Sequence, residues 1–210
     1  MKLVPLFPLE IVVYPYESLN LHIFEPRYKQ LIEDCKKDEV LFGIPCYRKD
    51  HPLKFGTLVK LEEISKVYPD GKLDIKTKGV KPFELKRYRD QYPDKLYPGG
   101  YVEELYWEKE GDEDLRKRIR VLLTELYEYM KIDKRPEALD REFITFEIAH
   151  KVGFNKSQEY EFLQIISETD RQKEMIEHLI RIIPVIKEME EMRKKVQLNG
   201  HFKYLQPPEV

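Results

Sequence analysis

Glu147-Ile148-Ala149-His150 is the stretch of this chain that comes nearest to metal chemistry. On a helix, Glu and His three residues apart share a face, and carboxylate-bridged di-iron bundles use two such pairs with two further glutamates. The chain holds one pair. Half of the ligand set is missing, so a surface glutamate beside a packed histidine is the better reading. The five histidines, His22, His51, His150, His178 and His201, form neither His-x-x-x-His nor a Cys/His cluster of zinc spacing. Cys35 falls on the apolar stripe of an expected helix, where a thiol is an inert core residue. Cys46 lies in or just after an expected strand, with no neighbour that would activate it. Gly71-Lys72 lacks the upstream glycine of a phosphate-binding Gly-x-x-x-x-Gly-Lys-Ser/Thr loop. No catalytic residue, metal site or cofactor is therefore expected.

Two groups of residues suit binding instead. Lys72, Lys76 and Lys78 share one face of an alternating strand, and Lys81 and Lys86 follow. Such a face could meet RNA phosphates, although a run of charge is more often a solvated surface. The other group is aromatic. Tyr14, Tyr16 and Tyr47 adjoin turn residues and Phe24 ends an apolar run. If exposed, these rings would bury area at little entropic cost and without reading sequence.

The elements that must position these residues change character along the chain. Leu3–Phe7, Ile11–Tyr14, Leu19–Phe24, Phe42–Tyr47, Gly56–Ser65, Lys72–Lys78, Phe83–Tyr88 and Gly100–Trp107 read as strands. Pro69-Asp70-Gly71 is a turn in which proline presets φ and glycine accepts a positive one. One helix interrupts them. It opens at Glu25-Pro26-Arg27, with proline in the first turn, and places Tyr28, Leu31, Ile32 and Cys35 on one face. Glu25 suits its N-terminus by charge, and Arg27 is expected to pair locally. Near Asp112 the period becomes helical. Leu115, Ile119, Leu122, Leu123, Leu126, Tyr127 and Met130 make one stripe. A second helix is expected to carry Phe143, Ile144, Ile148 and Val152 up to Gly153, and a third to start near Ser157. A fourth starts at the Thr169-x-x-Gln172 capping box and is kinked or split at Pro184. Asn199-Gly200 reads as its stop. Strands followed by helices predict an α+β fold with 1–110 β-rich, 111–198 helical with a long last helix, and 199–210 a tail.

Of 210 residues, 37 are Lys or Arg and 39 Asp or Glu, a formal net charge of -2. Residues 1–110 carry 19 basic and 19 acidic residues. This balance weighs against wholesale nucleic-acid binding. A hydrophobic content of 41% argues against disorder. No run approaches the roughly 18 apolar residues of a membrane span. Two cysteines and a start without a signal-peptide core make the cytoplasm the expected setting.

Pro5-Leu6-Phe7-Pro8-Leu9, Val13-Tyr14-Pro15 and Leu21-His22-Ile23-Phe24-Glu25-Pro26-Arg27-Tyr28 resemble the N-terminal substrate-binding domain of Lon proteases. Phe55-Gly56-Thr57-Leu58-Val59 is similar to the family's Gly-Thr strand. Pro69-Asp70-Gly71-Lys72-Leu73 is similar to its hairpin, and Lys78-Gly79-Val80-Lys81-Pro82-Phe83 to its Gly-x-x-x-Phe strand. Tyr16 and Pro82 stand where the family commonly has glycine and arginine. The resemblance implies a PUA-like β-barrel with one inserted helix, followed by an all-α bundle. It implies a stand-alone, non-catalytic domain that binds unfolded or tagged polypeptides; Tyr14, Tyr16, Phe24 and Tyr47 are the expected binding residues on the ground of their aromatic rings, not of the resemblance. Implied partners include a protease or chaperone in trans, and an oligomer. PUA-like barrels also bind RNA, which keeps the lysine face Lys72, Lys76, Lys78, Lys81 and Lys86 as the alternative. A small enzyme is a further alternative and would require a deep polar pocket.

Overall fold

The computed structural model describes residues 1–47, 52–133 and 136–201; His51 and the 202–210 part of the expected tail lie outside them. Six antiparallel strands form one sheet: β1 (Lys2–Pro5), β2 (Ser18–Ile23), β3 (Phe42–Pro45), β4 (Phe55–Val67), β5 (Leu73–Arg89) and β6 (Gly99–Glu104). Their order is β1-β6-β5-β4-β3, with β2 paired to β5 off that path. The two ends of the path also meet. Parallel bridges join Leu6 to Gly43 and Leu9 to Cys46, so the chain after β1 runs beside β3. α1 (Pro26–Asp38) lies between β2 and β3 in the chain. α2 (Glu113–Met130), α3 (Lys156–Phe162) and α4 (Glu168–His201) follow the sheet, with 3-10 turns at Glu137–Asp140, Thr145–Glu147 and Ala149–Lys151.

α1 forms where its spacing predicts. Pro26 occupies its first turn, and the Glu25 carbonyl accepts the Tyr28 and Lys29 amides at 3.0 Å each. Tyr28, Leu31, Ile32 and Cys35 are its buried residues, and they pack on Phe42, Ile44, Val59 and Ile75 of the sheet. Arg27 pairs with Glu25 at 2.7 Å, the expected local contact. The Pro69-Asp70-Gly71 turn is also present, with Gly71 at φ +76°.

Several expectations are corrected. The expected strands Lys72–Lys78, from Leu73 on, and Phe83–Tyr88 belong to one strand, β5, which pairs with β2 along its first half and with β6 along its second; Lys72 itself lies in the turn before it. Val59 sits opposite Gly79 and Phe83 opposite Gly56, so β4 carries β5 through the junction with a register shift and Pro82 does not end the strand. Ile11–Tyr14 is not a strand. It is held by side chains: Thr57 Oγ1 donates to the Val13 carbonyl, and Glu17 Oε2 accepts the Tyr14 amide at 2.8 Å. The expected helix over Phe143–Val152 is two short 3-10 turns. There Phe143, Phe146, Ile148, Ala149 and Val152 are all buried, and one helix face cannot bury so many. α4 begins at Glu168, with the Arg171 amide bonded to the Ser167 carbonyl at 3.0 Å, so Thr169 is not its cap. It is not split at Pro184, and it runs past Asn199-Gly200 to His201.

The strands and helices share a core. Val12, Tyr14 and Cys46 pack in the same cluster as Leu123, Phe146, Phe162 and Leu179. The segment between β6 and α2 is tied down as well. The Glu108 amide donates to the Ile166 carbonyl at 2.9 Å, and the Asp112 amide to Gln172 Oε1 at 2.9 Å. Asp112 then caps α2 by accepting the Asp114 and Leu115 amides. Among the described residues no helix is long and apolar enough to cross a membrane.

Candidate functional site

The Glu147/His150 pair does not act together. Glu147 binds Arg141 and accepts the Ile144 amide at 3.2 Å. His150 turns the other way, with Nδ1 2.6 Å from Glu159 Oε1 and Nε2 3.0 Å from Glu17 Oε2. Glu17 precedes β2 and Glu159 lies on α3, so the imidazolium bridges the sheet and the helices. Burial alone would lower the His150 pKa; hydrogen bonds to Glu17 and Glu159, and their charges, instead hold it at about 9. No group of three His, Cys, Asp or Glu residues among the described ones could hold a metal ion.

This clamp makes a pH prediction. The folded imidazole has the higher pKa, so its contribution is full below about 6.5 and is lost as pH rises through about 9. Urea midpoints taken from about pH 6 to about pH 10 are expected to fall across that window. His150→Gln should flatten this fall; an unchanged slope in the variant would assign it to another group.

Cys35 is equally unsuited to chemistry. Burial, with Asp34 and Asp38 adding their negative charge, pushes its thiol up to about 12. It lines a cavity of about 390 Å³ between the end of α1 and β4, whose walls mix Lys36, Glu39, Val40, Lys60, Leu61 and Ile64.

The four aromatic candidates separate. Tyr14 is a correction: it is completely buried and belongs to no surface. Its ring stacks on Phe146 at 5.3 Å and meets Phe162 edge-on, and its hydroxyl donates to the Glu159 carbonyl at 3.0 Å. Burial pushes its phenol far above the ordinary range. Tyr16, Phe24 and Tyr47 are 42%, 58% and 45% exposed. Tyr16 sits at φ +68°, a backbone region that a bulky side chain rarely adopts. Its amide donates to the Gly79 carbonyl at 2.8 Å, and its ring meets Trp107 edge-on at 5.8 Å. Trp107 is half-buried. Its other contacts run inward to Phe146 at 5.5 Å and to the Arg171 guanidinium, while Lys109 lies over both surface rings. Phe24 is grouped elsewhere, beside His22 at 6.3 Å, and Tyr68 meets the same histidine edge-on at 5.6 Å. Tyr47 donates its amide to the Leu9 carbonyl at 2.6 Å. The structure therefore brings Tyr16 together with Trp107 and leaves Phe24 and Tyr47 as separate exposed rings. Trp107 was not singled out from sequence; the available signal was the chain's one tryptophan placed where strands give way to helices.

The lysine face is largely neutralised by its neighbours. Lys72 pairs with Asp70 at 2.7 Å, Lys76 with Glu63 at 2.9 Å and Lys81 with Glu104 at 2.7 Å. Lys86 lies between Glu84 at 2.7 Å and Glu103 at 3.0 Å. Lys78 stands opposite Ser18 of β2 and Lys60 of β4. Exposed pairs of this kind add little stability, but they cancel the field that would draw a phosphate chain.

Comparison with known proteins places these features in a family. Residues 3–188 match the ATP-dependent protease La (LON) substrate-binding domain. A Lon N-terminal domain protein from Xanthomonas campestris superposes with a TM-score of 0.64 at 26% identity, covering 84% of this chain and 98% of that one. The N-terminal domain of Mycobacterium avium complex Lon protease superposes with a TM-score of 0.63 at 13% identity, covering 85% and 98%. A comparison with curated proteins finds no match. The matched region spans the sheet, α2, α3 and more than half of α4, and the chain belongs to the Lon substrate-binding domain family.

Proposed function

We propose that this chain holds non-native polypeptide segments by apolar contact, makes and breaks no bond, and acts in the cytoplasm with a protease or chaperone in trans. The observation that carries the reading is the family match over residues 3–188, a substrate-binding domain. The geometry supports it with the Tyr16–Trp107 pair, in which an exposed Tyr16 meets a half-buried Trp107 anchored on Phe146, with the Lys109 side chain over both rings. In this reading the bridges from Leu6 and Leu9 to β3 close a PUA-like barrel and α2, α3 and α4 form the bundle, with Phe146 of the 3-10 turn and Arg171 of α4 behind Trp107. Apolar contact contributes roughly 25 cal/mol per Å² before ordering costs, and needs no particular sequence.

Binding to a denatured model protein is expected to survive about 0.5 M salt, where the Debye length is well under 10 Å. Tyr16→Ser and Tyr47→Ser together should weaken it roughly tenfold, while far-UV circular dichroism stays unchanged. Tyr14→Ser is unsuitable for this test, because it would hollow the core. If salt abolishes binding and these substitutions do nothing, the surface is electrostatic. The strand from Lys72 to Lys86, with RNA or an acidic partner, then replaces this reading.

A further inference from the structure

Strand β4 has a neighbour on each side only along its first part. β3 covers it as far as Val59 and no further, because Val59 is opposite Phe42, the first residue of β3. Before Phe42 the chain turns off the sheet: Glu39, at φ +52°, ends α1, and Val40 and Leu41 make the link. Residues 60–67 of β4 therefore pair with β5 alone. The Phe55 carbonyl accepts the Cys46 amide on the β3 side, and the Lys54 carbonyl accepts the Leu85 amide on the β5 side. The register shift before Val59 places its extra residue, Val80, on β5, so β4 is regular through Leu61. Alternation then aims the backbone amide and carbonyl of Leu61 to the β3 side, like those of Phe55, Thr57 and Val59. Among the described residues no backbone group meets them there. Beyond Leu61 the edge is guarded, by extra residues at Glu62 and Ser65 that break the register and by the charges of Glu62, Glu63 and Lys66. Beside Leu61 lies the cavity of about 390 Å³, bounded by Cys35 and Val40 near the end of α1 and by Leu61 and Ile64 of β4.

We propose that an extended segment of a non-native polypeptide adds to β4 at Leu61, antiparallel to it and in the line of β3, with one apolar side chain in this cavity. The site is separate from the aromatic surface and rests on the preceding reading only for the class of ligand. An extended chain supplies the acceptor and donor that the open amide and carbonyl of Leu61 call for. In an antiparallel hydrogen-bonded pair the residue opposite Leu61 aims its own amide at β4 and carries its side chain on the same face as Leu61. Leu61 and Ile64 pack on the core beneath α1, so that face is the one the cavity opens on. Backbone bonds read no sequence, and a single apolar pocket asks only for an aliphatic or aromatic side chain, which suits a binder of many non-native chains.

The test uses a fluorescein-labelled peptide of roughly ten residues, valine alternating with threonine between terminal lysines, and two further versions N-methylated at every valine or at every threonine. With valine in the cavity, the valine amides face β4 and the threonine amides face away. Methylation at valine should weaken binding roughly tenfold or more, and methylation at threonine less than about threefold. Hydrogen exchange of the Leu61 amide in the full 210-residue chain, read by NMR, should slow roughly tenfold or more when the unmethylated peptide saturates the protein. Val40→Trp should also weaken binding by filling the cavity, with the circular dichroism spectrum kept because Val40 is exposed. Binding that leaves Leu61 exchange unchanged, or that both methylated peptides lose equally, overturns the proposal and leaves the aromatic surface as the site. Failure of the peptide to bind while a denatured protein binds does the same. If neither the peptide nor the denatured protein binds, this proposal and the preceding reading fall together.

Discussion

Arg171→Met is expected to destabilise the protein by about 3–5 kcal/mol, the usual cost of leaving one partner of a buried ion pair uncompensated. Arg171 and Glu168 are both fully buried and lie 2.8 Å apart. The guanidinium also donates to the carbonyls of Ile165 at 2.6 Å and Ile166 at 2.9 Å, and to that of Glu108. Glu168 in turn accepts the Thr145 amide at 2.8 Å and its hydroxyl at 2.9 Å. Burial pushes the Glu168 carboxyl up and the Arg171 guanidinium down, and the attraction between them opposes both shifts. One side chain thus joins the segment after β6, the turn before α4 and the 3-10 turn under Trp107. Removing it leaves a buried carboxylate without its counter-charge and takes a donor away from the carbonyls of Ile165, Ile166 and Glu108. Melting temperature should fall on the order of 10 °C for a chain of this size. The double variant Arg171→Met with Glu168→Leu should recover part of the loss, because no lone charge is then buried. A loss under about 1 kcal/mol for Arg171→Met, within the range of surface substitutions, would show that the network contributes little.

Gly79→Ala is the second large effect. A Cβ at residue 79 would stand 2.0 Å from the Tyr14 carbonyl oxygen and 2.9 Å from its carbon, both backbone atoms with no side chain to turn aside. β5 would have to move away from the Tyr14–Tyr16 turn. Two bonds depend on that approach, the Tyr16 amide to the Gly79 carbonyl and the Gly79 amide to the Glu17 carbonyl, each 2.8 Å. A destabilisation of about 3 kcal/mol, at the upper end of overpacking costs, is expected by urea denaturation. Tyr16 would also lose the contact that holds its left-handed backbone, so polypeptide binding should weaken even in the folded fraction. Val80→Ala, one residue on and exposed, should cost about 0.5 kcal/mol or less. Equal losses for the two variants would mean that the close approach at Gly79 carries no special weight.

How much of this was legible beforehand differs from segment to segment. α1 and α2 were legible because each buries a single stripe. Tyr28, Leu31, Ile32 and Cys35, and Ile119, Leu122, Leu123 and Leu126, are residues that the spacing marks and that the fold buries. The segment from Phe143 to Val152 was not, because it is wedged between α2 and α4. Its amides answer to distant side chains, as Thr145 does to Glu168, and local periodicity does not record such contacts. The same limit separates Tyr14 from Tyr16. Both stand beside Pro15 in a stretch without a regular period, yet one ring lies under Phe146 and the other lies outside against Trp107. Composition shows that aromatics are abundant; only the fold shows which of them face solvent. The lysine face was legible as a strand face, but the carboxylates that neutralise it come partly from β4 and β6, far away in the chain.

The central claim is that this surface recognises the absence of structure in its ligand. The direct measurement is the affinity for one polypeptide in two states, native and permanently unfolded by reduction and carboxymethylation. Fluorescence anisotropy in about 0.5 M salt removes long-range charge effects from the comparison. The account predicts saturable binding of the unfolded chain in the micromolar range and at least roughly tenfold weaker binding of the native one. Equal affinity for the two states, or binding to neither while a single-stranded RNA binds at low salt, would contradict it.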